Sequence, residues 1–523
     1  MTKYLINRII RSCVSIVIAV GIVMLLIYSL MDRNLIFKND ALFTHLNNNS
    51  KVVYKYQKWE EYGYLDYMTY QDYLNLLVAN GELTEAVKNE VSTIGYEPSK
   101  DSKLTTQYIE SFYDYCDQNG YTPQRLNAVT QRGTKVADGG KPQLFAYKDI
   151  NLFVRLFNYF GGILKFDDIN YVADIENRGL SFTLHDPVYG GEKFSPAIIG
   201  NGTYHKYLVY FDNQFPYFHQ NLVTVNLGTS YSVNQGVDVF STMTTSQGSY
   251  VKSLITYPSG LTEESADDLH SATYIKGSQK SSYFLQSRFT DDYTNTTVIK
   301  NGKSKIGYSF SIGIISVIID YLLGVPLGII MARKKDSFID QLGSIYIIFI
   351  IAVPSLAYIF LFKAIGSAAF GLPTTFDVDS LSKAMYVLPI ISLSLPSIAN
   401  LMKWIRRYMI DQQNLDYVKF ARSGGLTENE IFTKHILKNA IIPIVHGIPG
   451  SILGAITGAI ITERVYVVPG AGNLLTKAIN NYDNGVIVGV TLFYAILSVA
   501  SMVCGDILMS MIDPRISFTS KAR

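Results

Sequence analysis

Six apolar stretches, one at the start and five in roughly the last 220 residues, frame a polar middle of about 270 residues. That pattern excludes a single soluble globule. Ser12 to Met31 is a run of 20 residues without a charge, long enough at about 1.5 Å per residue to cross a hydrocarbon core of roughly 30 Å. A cleaved signal peptide is the competing reading. Its apolar region would usually be about 7–15 residues, and Asp32-Arg33 stands where a small-residue cleavage site belongs, so an uncleaved anchor is expected. The other stretches are 307–332, 341–362, 385–402, 439–462 and 486–511.

Charge gives the orientation. With six spans and an inner N-terminus, the four inner pieces carry 16 Lys/Arg: Lys3, Arg8, Arg11; Arg333, Lys334, Lys335; Lys403, Arg406, Arg407, Lys419, Arg422, Lys434, Lys438; and Arg515, Lys521, Arg523. The two short outer loops carry four, Lys363, Lys383, Arg464 and Lys477, which fits the positive-inside rule. The formal net charge of +2 hides a division, since residues 32–305 hold 25 basic and 30 acidic residues while the remainder is basic. Three parts are expected: 1–31 with the first span, 32–305 outside the cell, and 306–523 with spans two to six and an inner loop at 403–438.

The outer region holds 26 of the 38 tyrosines. Helical spacing over 69–80 (Tyr70, Tyr73, Leu74, Leu77) and 105–118 (Tyr108, Ile109, Phe112, Tyr115, Cys116), with strand-like runs at 205–211 and 221–227, predicts an α+β domain. The tyrosines can be ordinary core and rim residues or a flat, amphipathic surface that grips peptides. Met243 to Ser249 reads as a loop, and 44–51 and 291–305 as connectors. Over 151–166, Leu152, Phe153, Leu156, Phe157, Phe160, Ile163 and Leu164 form one apolar stripe. This helix can lie on the outer leaflet, pack on the spans, or belong to the domain core. Cys13 and Cys504 fall in spans and Cys116 is alone outside, so no disulfide can form within the outer region.

Between the fourth and fifth apolar stretches lies Asp416-Tyr-Val-Lys-Phe-Ala-Arg-Ser-Gly-Gly-Leu426. Asp416 can cap a short polar helix and Gly424-Gly425 can close it in a left-handed turn. The segment, continuing to Ala440-Ile-Ile-Pro443, resembles the cytoplasmic EAA loop of ABC-importer permeases in its peptide-transporter form. The resemblance implies that Asp416, Tyr417, Ala421, Arg422 and Gly425 form a coupling helix that docks on an ATPase. Lys419-Phe420 departs from the generic Glu-Ala, and the Gly-to-Pro interval is longer. Glu463-Arg-Val-Tyr-Val-Val-Pro469-Gly470-Ala-Gly472 resembles the family's external turn, implying that Glu463, Pro469, Gly470 and Gly472 belong to an outer gate; a plain turn between spans is the alternative. Asp513-Pro514-Arg515-Ile516 matches the family's C-terminal end. Lys3-Tyr4 and Arg8 before a long span resemble the B-type subunit of oligopeptide and dipeptide importers. The large insertion and Asn226-Leu-Gly-Thr-Ser-Tyr231 are most similar to the Ami/Opp type of Gram-positive cocci.

Two acids fall within spans, Asp320 and Asp506. An intramembrane acid is costly and usually partnered, so a structural pair with a basic residue competes with a transport role. Gly324-Val-Pro326-Leu-Gly328, Pro354, Pro389, Pro396, Pro449 and Gly450 predict bends and close approaches in the spans.

No phosphate-binding loop occurs; Gly302-Lys303-Ser304 lacks the first glycine, required at Thr297. No H-E-x-x-H and no metal-spaced Cys/His group is present. The chain is expected to be non-catalytic, without metal or cofactor of its own. The resemblance implies an all-α polytopic type I importer permease of six spans with a large α+β extracellular insertion between spans one and two. It implies partners too: a second homologous permease, two cytosolic ATPases that bind ATP and Mg, a peptide-binding lipoprotein outside, an oligopeptide substrate and membrane lipid, but no nucleic acid. A different solute on the same machine, such as nickel or a sugar, and a membrane-anchored surface receptor or scaffold are the alternatives.

Overall fold

A computed structural model describes residues 2–512 except 134, 190, 213–216, 278–282, 379, 381 and 458. The C-terminal motif Asp513-Pro514-Arg515-Ile516, and with it Lys521 and Arg523, lies outside the described residues. Among the described residues, five helices are long and apolar enough to cross a membrane: Ile6–Leu30, Lys305–Arg333, Lys383–Gln413, Ile442–Tyr466 and Asn484–Ile512. They are called here spans one, two, four, five and six.

The expected third span at 341–362 is not one straight helix. Phe338–Ala352 and Ser355–Phe370 meet at 109°, so the two together form one broken span or a re-entrant element. Pro354 caps the second piece; it has no N–H to continue the first helix, and its ring disfavours helical backbone at Val353, which is extended at φ −85°, ψ 130°. Pro326, by contrast, leaves span two continuous. The glycines around it serve packing. A Cβ at Gly324 would sit 2.9 Å from Leu401 Cβ, and one at Gly328 2.9 Å from Ile405 Cβ, so span four lies directly against span two. Gly313 meets Ala455 of span five in the same way, at 2.6 Å.

Span four does not stop at residue 402. Its helix runs on to Gln413, which makes the first third of the expected 403–438 loop a rigid extension of the span. At its inner end Arg406 donates through Nε and Nη2 to both Asp340 carboxylate oxygens at 2.6 and 2.8 Å. This bidentate pair ties the broken third element to span four.

Residues 33–298 contain short helices and antiparallel sheets. A three-stranded sheet orders Leu65–Thr69, Gln143–Asp149 and Thr122–Leu126; a four-stranded one orders Phe218–Gln220, Tyr207–Phe211, Ala197–Asn201 and Gly179–Thr183. Helix Tyr70–Ala79 starts at a Thr69–Asp72 capping box and buries the four residues its spacing predicted. Helix Lys103–Asn119 buries Ile109, Phe112 and Cys116 against it. The strand expected over 221–227 shortens to Val223–Val225. The loop read over Met243 to Ser249 holds from Thr245 onward, its first two residues ending a helix, and two connector readings are corrected. Val239–Thr244 is helical, with Met243 fully buried. Part of 44–51 begins helix Asn48–Glu61. Tyr293–Val298 is a strand paired with Asp267–Tyr274. In each case burial against distant segments decides a conformation that local polarity does not encode.

The aromatic stripe at 151–166 becomes helix Leu152–Gly161, which packs on the spans. Leu156, Tyr159, Phe160 and Ile163 join a cluster containing Val20 and Met24 of span one and Val486 and Val490 of span six. Phe153 and Phe157 point away from it, 66% and 77% exposed.

Candidate functional site

Three constructions stand out: the inner peg at 416–425, the turn around Glu463, and the clasp joining residues 226–233 to span six. The peg is helix Asp416–Ser423. Asp416 is not its N-cap. Leu415 holds the cap position, at φ −78° and ψ 152°, and Asp416 is the first helical residue, binding Lys419 Nζ at 2.8 Å. The acid still favours the helix N-terminus through the backbone dipole, and Lys419 holds its carboxyl below the usual carboxylate range. Gly425 adopts φ +83°, and Leu426 N donates to Ala421 O at 3.3 Å, closing the helix as a left-handed turn should.

The peg has two faces. Val418 is fully buried, with Tyr417 and Ala421 packed beside it, against Ala332 of span two, Ile405 and Met409 of span four, and Ile431, Phe432 and Ile436. Ile431–Ile436 forms a short π-helix leading towards span five. Ala421 therefore gives close approach to the chain's own bundle. The outward face carries Phe420, 75% exposed, beside Arg422, which grips Glu428 through Nε at 2.5 Å and Nη2 at 3.1 Å. Arg422 draws the Glu428 carboxyl below its ordinary range. The exposed phenyl ring is the functional candidate that sequence reasoning passed over. Its replacement of a generic alanine was the available signal.

In the outer turn, Glu463 is buried on helix Ile460–Tyr466. Its carboxylate accepts Ser309 Oγ of span two at 2.7 Å, Ala459 N at 3.2 Å and Asn473 N at 3.0 Å. Neither Gly470 nor Gly472 has positive φ. The left-handed residue is Val467, at φ +59°. The glycines instead make room for the acid: a Cβ at Gly470 would overlap the Glu463 carboxyl, and one at Gly472 would lie 3.1 Å from its Oε2. Glycine spacing alone cannot distinguish these roles. Pro469 separates the fully buried Val468 from the N-cap Gly470 of helix Ala471–Asn480.

The two intramembrane acids part company. Asp506 of span six pairs with Arg8 of span one, with His446 Nδ1 at 4.0 Å. Asp320, midway along span two, forms no ion pair among the described residues. Because Asp506 is 6% exposed, Arg8→Ala should cost about 3–5 kcal/mol by stranding a buried carboxylate. Arg8→Leu combined with Asp506→Leu should recover most of the thermal stability of the purified chain; a double variant no better than the single one would reject the pairing.

The clasp lies outside the motifs. Asp483, fully buried just before span six, accepts Ser230 Oγ at 2.7 Å, the N–H groups of Tyr231, Ser232 and Val233 at 2.8, 2.9 and 2.9 Å, and Val486 N at 3.2 Å. Preceding it, residues 227–229 lie along the span. Cβ atoms at Gly485 and Gly489 would overlap the carbonyl oxygens of Thr229 and Leu227. The stretch Asn226–Tyr231, noted only for its resemblance, is thus the strap that seats the large insertion.

The profile of the family described as "binding-protein-dependent transport system inner membrane component" matches residues 324–518. The oligopeptide transport system permease protein AmiC of Streptococcus pneumoniae is 35% identical over all of this chain and 99% of its own length. The dipeptide transport system permease protein DppB of Bacillus subtilis is 27% identical over 41% of this chain and 68% of its own. A chain of the MetNI methionine ABC transporter aligns with 40% of this chain and 94% of its own at TM-score 0.32 and 12% identity, too loosely to argue from.

Proposed function

This chain belongs to the oligopeptide-transport permeases, multi-pass membrane subunits of peptide ABC importers, and from that premise we propose how its parts divide the work. It forms half of a pore completed by a second homologous permease. Residues 32–305 face the exterior, where a lipid-anchored binding protein delivers an oligopeptide, and both termini are cytoplasmic. Two cytosolic ATPases bind ATP and Mg and hydrolyse the nucleotide. This subunit carries neither cofactor nor catalytic group.

The observation that carries the reading is the two-faced peg. Its inner face is locked to spans two and four and to the π-helix before span five, while its outer face offers Phe420 to a partner. A side chain exposed on an inner loop and rigidly joined to three spans is a lever: a push on the phenyl ring moves the spans, because packed interiors transmit displacement rather than absorb it. Phe420 fills a cleft of the ATPase, with Arg422 and Glu428 at the rim. The Glu463 turn lies at the outer end of the same spans and closes the pore outside.

The test is assembly and coupling together. The tagged chain should co-purify with two ATPases and a second permease, and peptide should stimulate ATP hydrolysis. Phe420→Asp should lower that stimulation several-fold while expression persists, since burying one apolar ring is worth roughly 1.5–3 kcal/mol. Unchanged stimulation would sink the lever assignment. Uptake of nickel or a sugar, but no peptide, would move the substrate to the alternative class.

A further inference from the structure

Spans two, four and five line a partly open cavity of about 270 Å³, with Ser316, Asp320, Tyr321, Asn400 and Ser451 among its walls. Asp320 lies 15 residues from the start of the 29-residue span two, which places it near the middle of the membrane. It is 5% exposed, and its Oδ1 has no hydrogen-bond partner among the described residues. The hydroxyls beside the carboxyl come from Ser316, Ser394 and Ser397. They also have other engagements: Ser316 Oγ and Ser394 Oγ lie 2.9 Å apart, and Ser397 Oγ donates to Leu393 O at 3.4 Å.

Two other buried acids of the spans have partners among the described residues. Asp506 has Arg8, and Glu463 has three donors. An acid held at mid-membrane without a cation of its own, facing a polar cavity, is arranged for a cation that arrives from elsewhere. The sequence left Asp320 between a structural pair and a transport role; among the described residues no basic side chain pairs with it, which favours the second.

Resting on the peptide-importer reading above, we infer that Asp320 is a transient site for the ammonium group of the passing peptide, its amino terminus or a lysine side chain. The cavity volume is at the lower edge of the roughly 300–1,000 Å³ usual for small-molecule pockets, enough for one end of a peptide. Hydroxyls and the Asn400 amide can supply the ammonium's remaining acceptors. The cavity's second acid, Glu463, already accepts from three donors, so Asp320 is the carboxylate left to bind, firmly enough to admit the charge and loosely enough to release it, the condition any conducting site must meet.

The experiment uses the complete transporter in liposomes, with two peptides of one lysine-free sequence, one with a free amino terminus and one N-acetylated, both chosen to saturate the binding protein. Asp320→Asn should slow uptake of the peptide with the free amino terminus about tenfold, the scale of one charge-assisted hydrogen bond, and leave the acetylated peptide at its wild-type rate. Asp320→Glu should restore uptake of the peptide with the free amino terminus to within about twofold, showing that the fold tolerates change there. Equal losses for both peptides, or no loss for either, would overturn the site while leaving peptide import intact. Failure of the wild-type transporter to carry either peptide would instead reject the peptide-importer reading, and the ammonium site with it.

Discussion

Asp483→Ala is expected to loosen the insertion from the spans and to destabilise the purified chain by about 3–5 kcal/mol. Five donors converge on this carboxylate, four of them from residues 230–233. Truncation leaves them buried without an acceptor, and each unsatisfied buried donor costs on the order of 1–3 kcal/mol. Water entry and local shifts recover part of that sum. No cation is paired with Asp483 among the described residues, so backbone N–H groups supply the stabilisation, as in an anion-binding nest. Asp483→Asn should fall between, because the amide keeps one acceptor but turns an NH₂ towards donors. The unfolding temperature in detergent should drop by several degrees for alanine, and limited proteolysis should open the strap at 226–244 before the sheets. A variant that melts with wild type and resists protease equally would mean that Gly485 and Gly489 packing alone seats the strap.

Gly470→Val should abolish most uptake. A Cβ there overlaps the Glu463 carboxyl, and the obstacle is a buried acid fixed by three hydrogen bonds rather than a free side chain. Either the carboxylate moves and loses donors from span two, helix Ala471–Asn480 and Ala459, or the turn unfolds. The cost is on the order of 3 kcal/mol either way. Glu463→Gln keeps the shape and should lose about 1 kcal/mol. Uptake at matched expression should therefore rank wild type, then Glu463→Gln, then Gly470→Val. Valine transporting better than glutamine would show that the turn tolerates displacement of the acid and that the glycines serve some other purpose.

The contrast between these two sites separates what a linear pattern encodes from what it leaves open. Membrane spans were legible because their length and lack of charge are conditions set by the bilayer, which acts on any chain alike. The peg was legible because its glycine, apolar spacing and flanking spans are all local. Gly425 takes the left-handed turn its position demands, and Tyr70, Tyr73, Leu74 and Leu77 bury as their spacing requires.

Partnership was not legible. Nothing in a string of letters tells that Asp506 meets Arg8 from 498 residues away, that Asp320 meets no cation among the described residues, or that Asp483 gathers the backbone of residues 231–233. Nor could spacing show that Gly470 and Gly472 clear space for an acid. The sequence by itself determined where the apolar segments lie and the family to which the chain belongs, and set the expected orientation, since each depends on composition summed along the chain or on contiguous motifs. Only the tertiary structure decided which buried charges are satisfied, where the third segment breaks, and which face of the peg is free. Those outcomes depend on distances between residues remote in sequence, and burial gives them their energy.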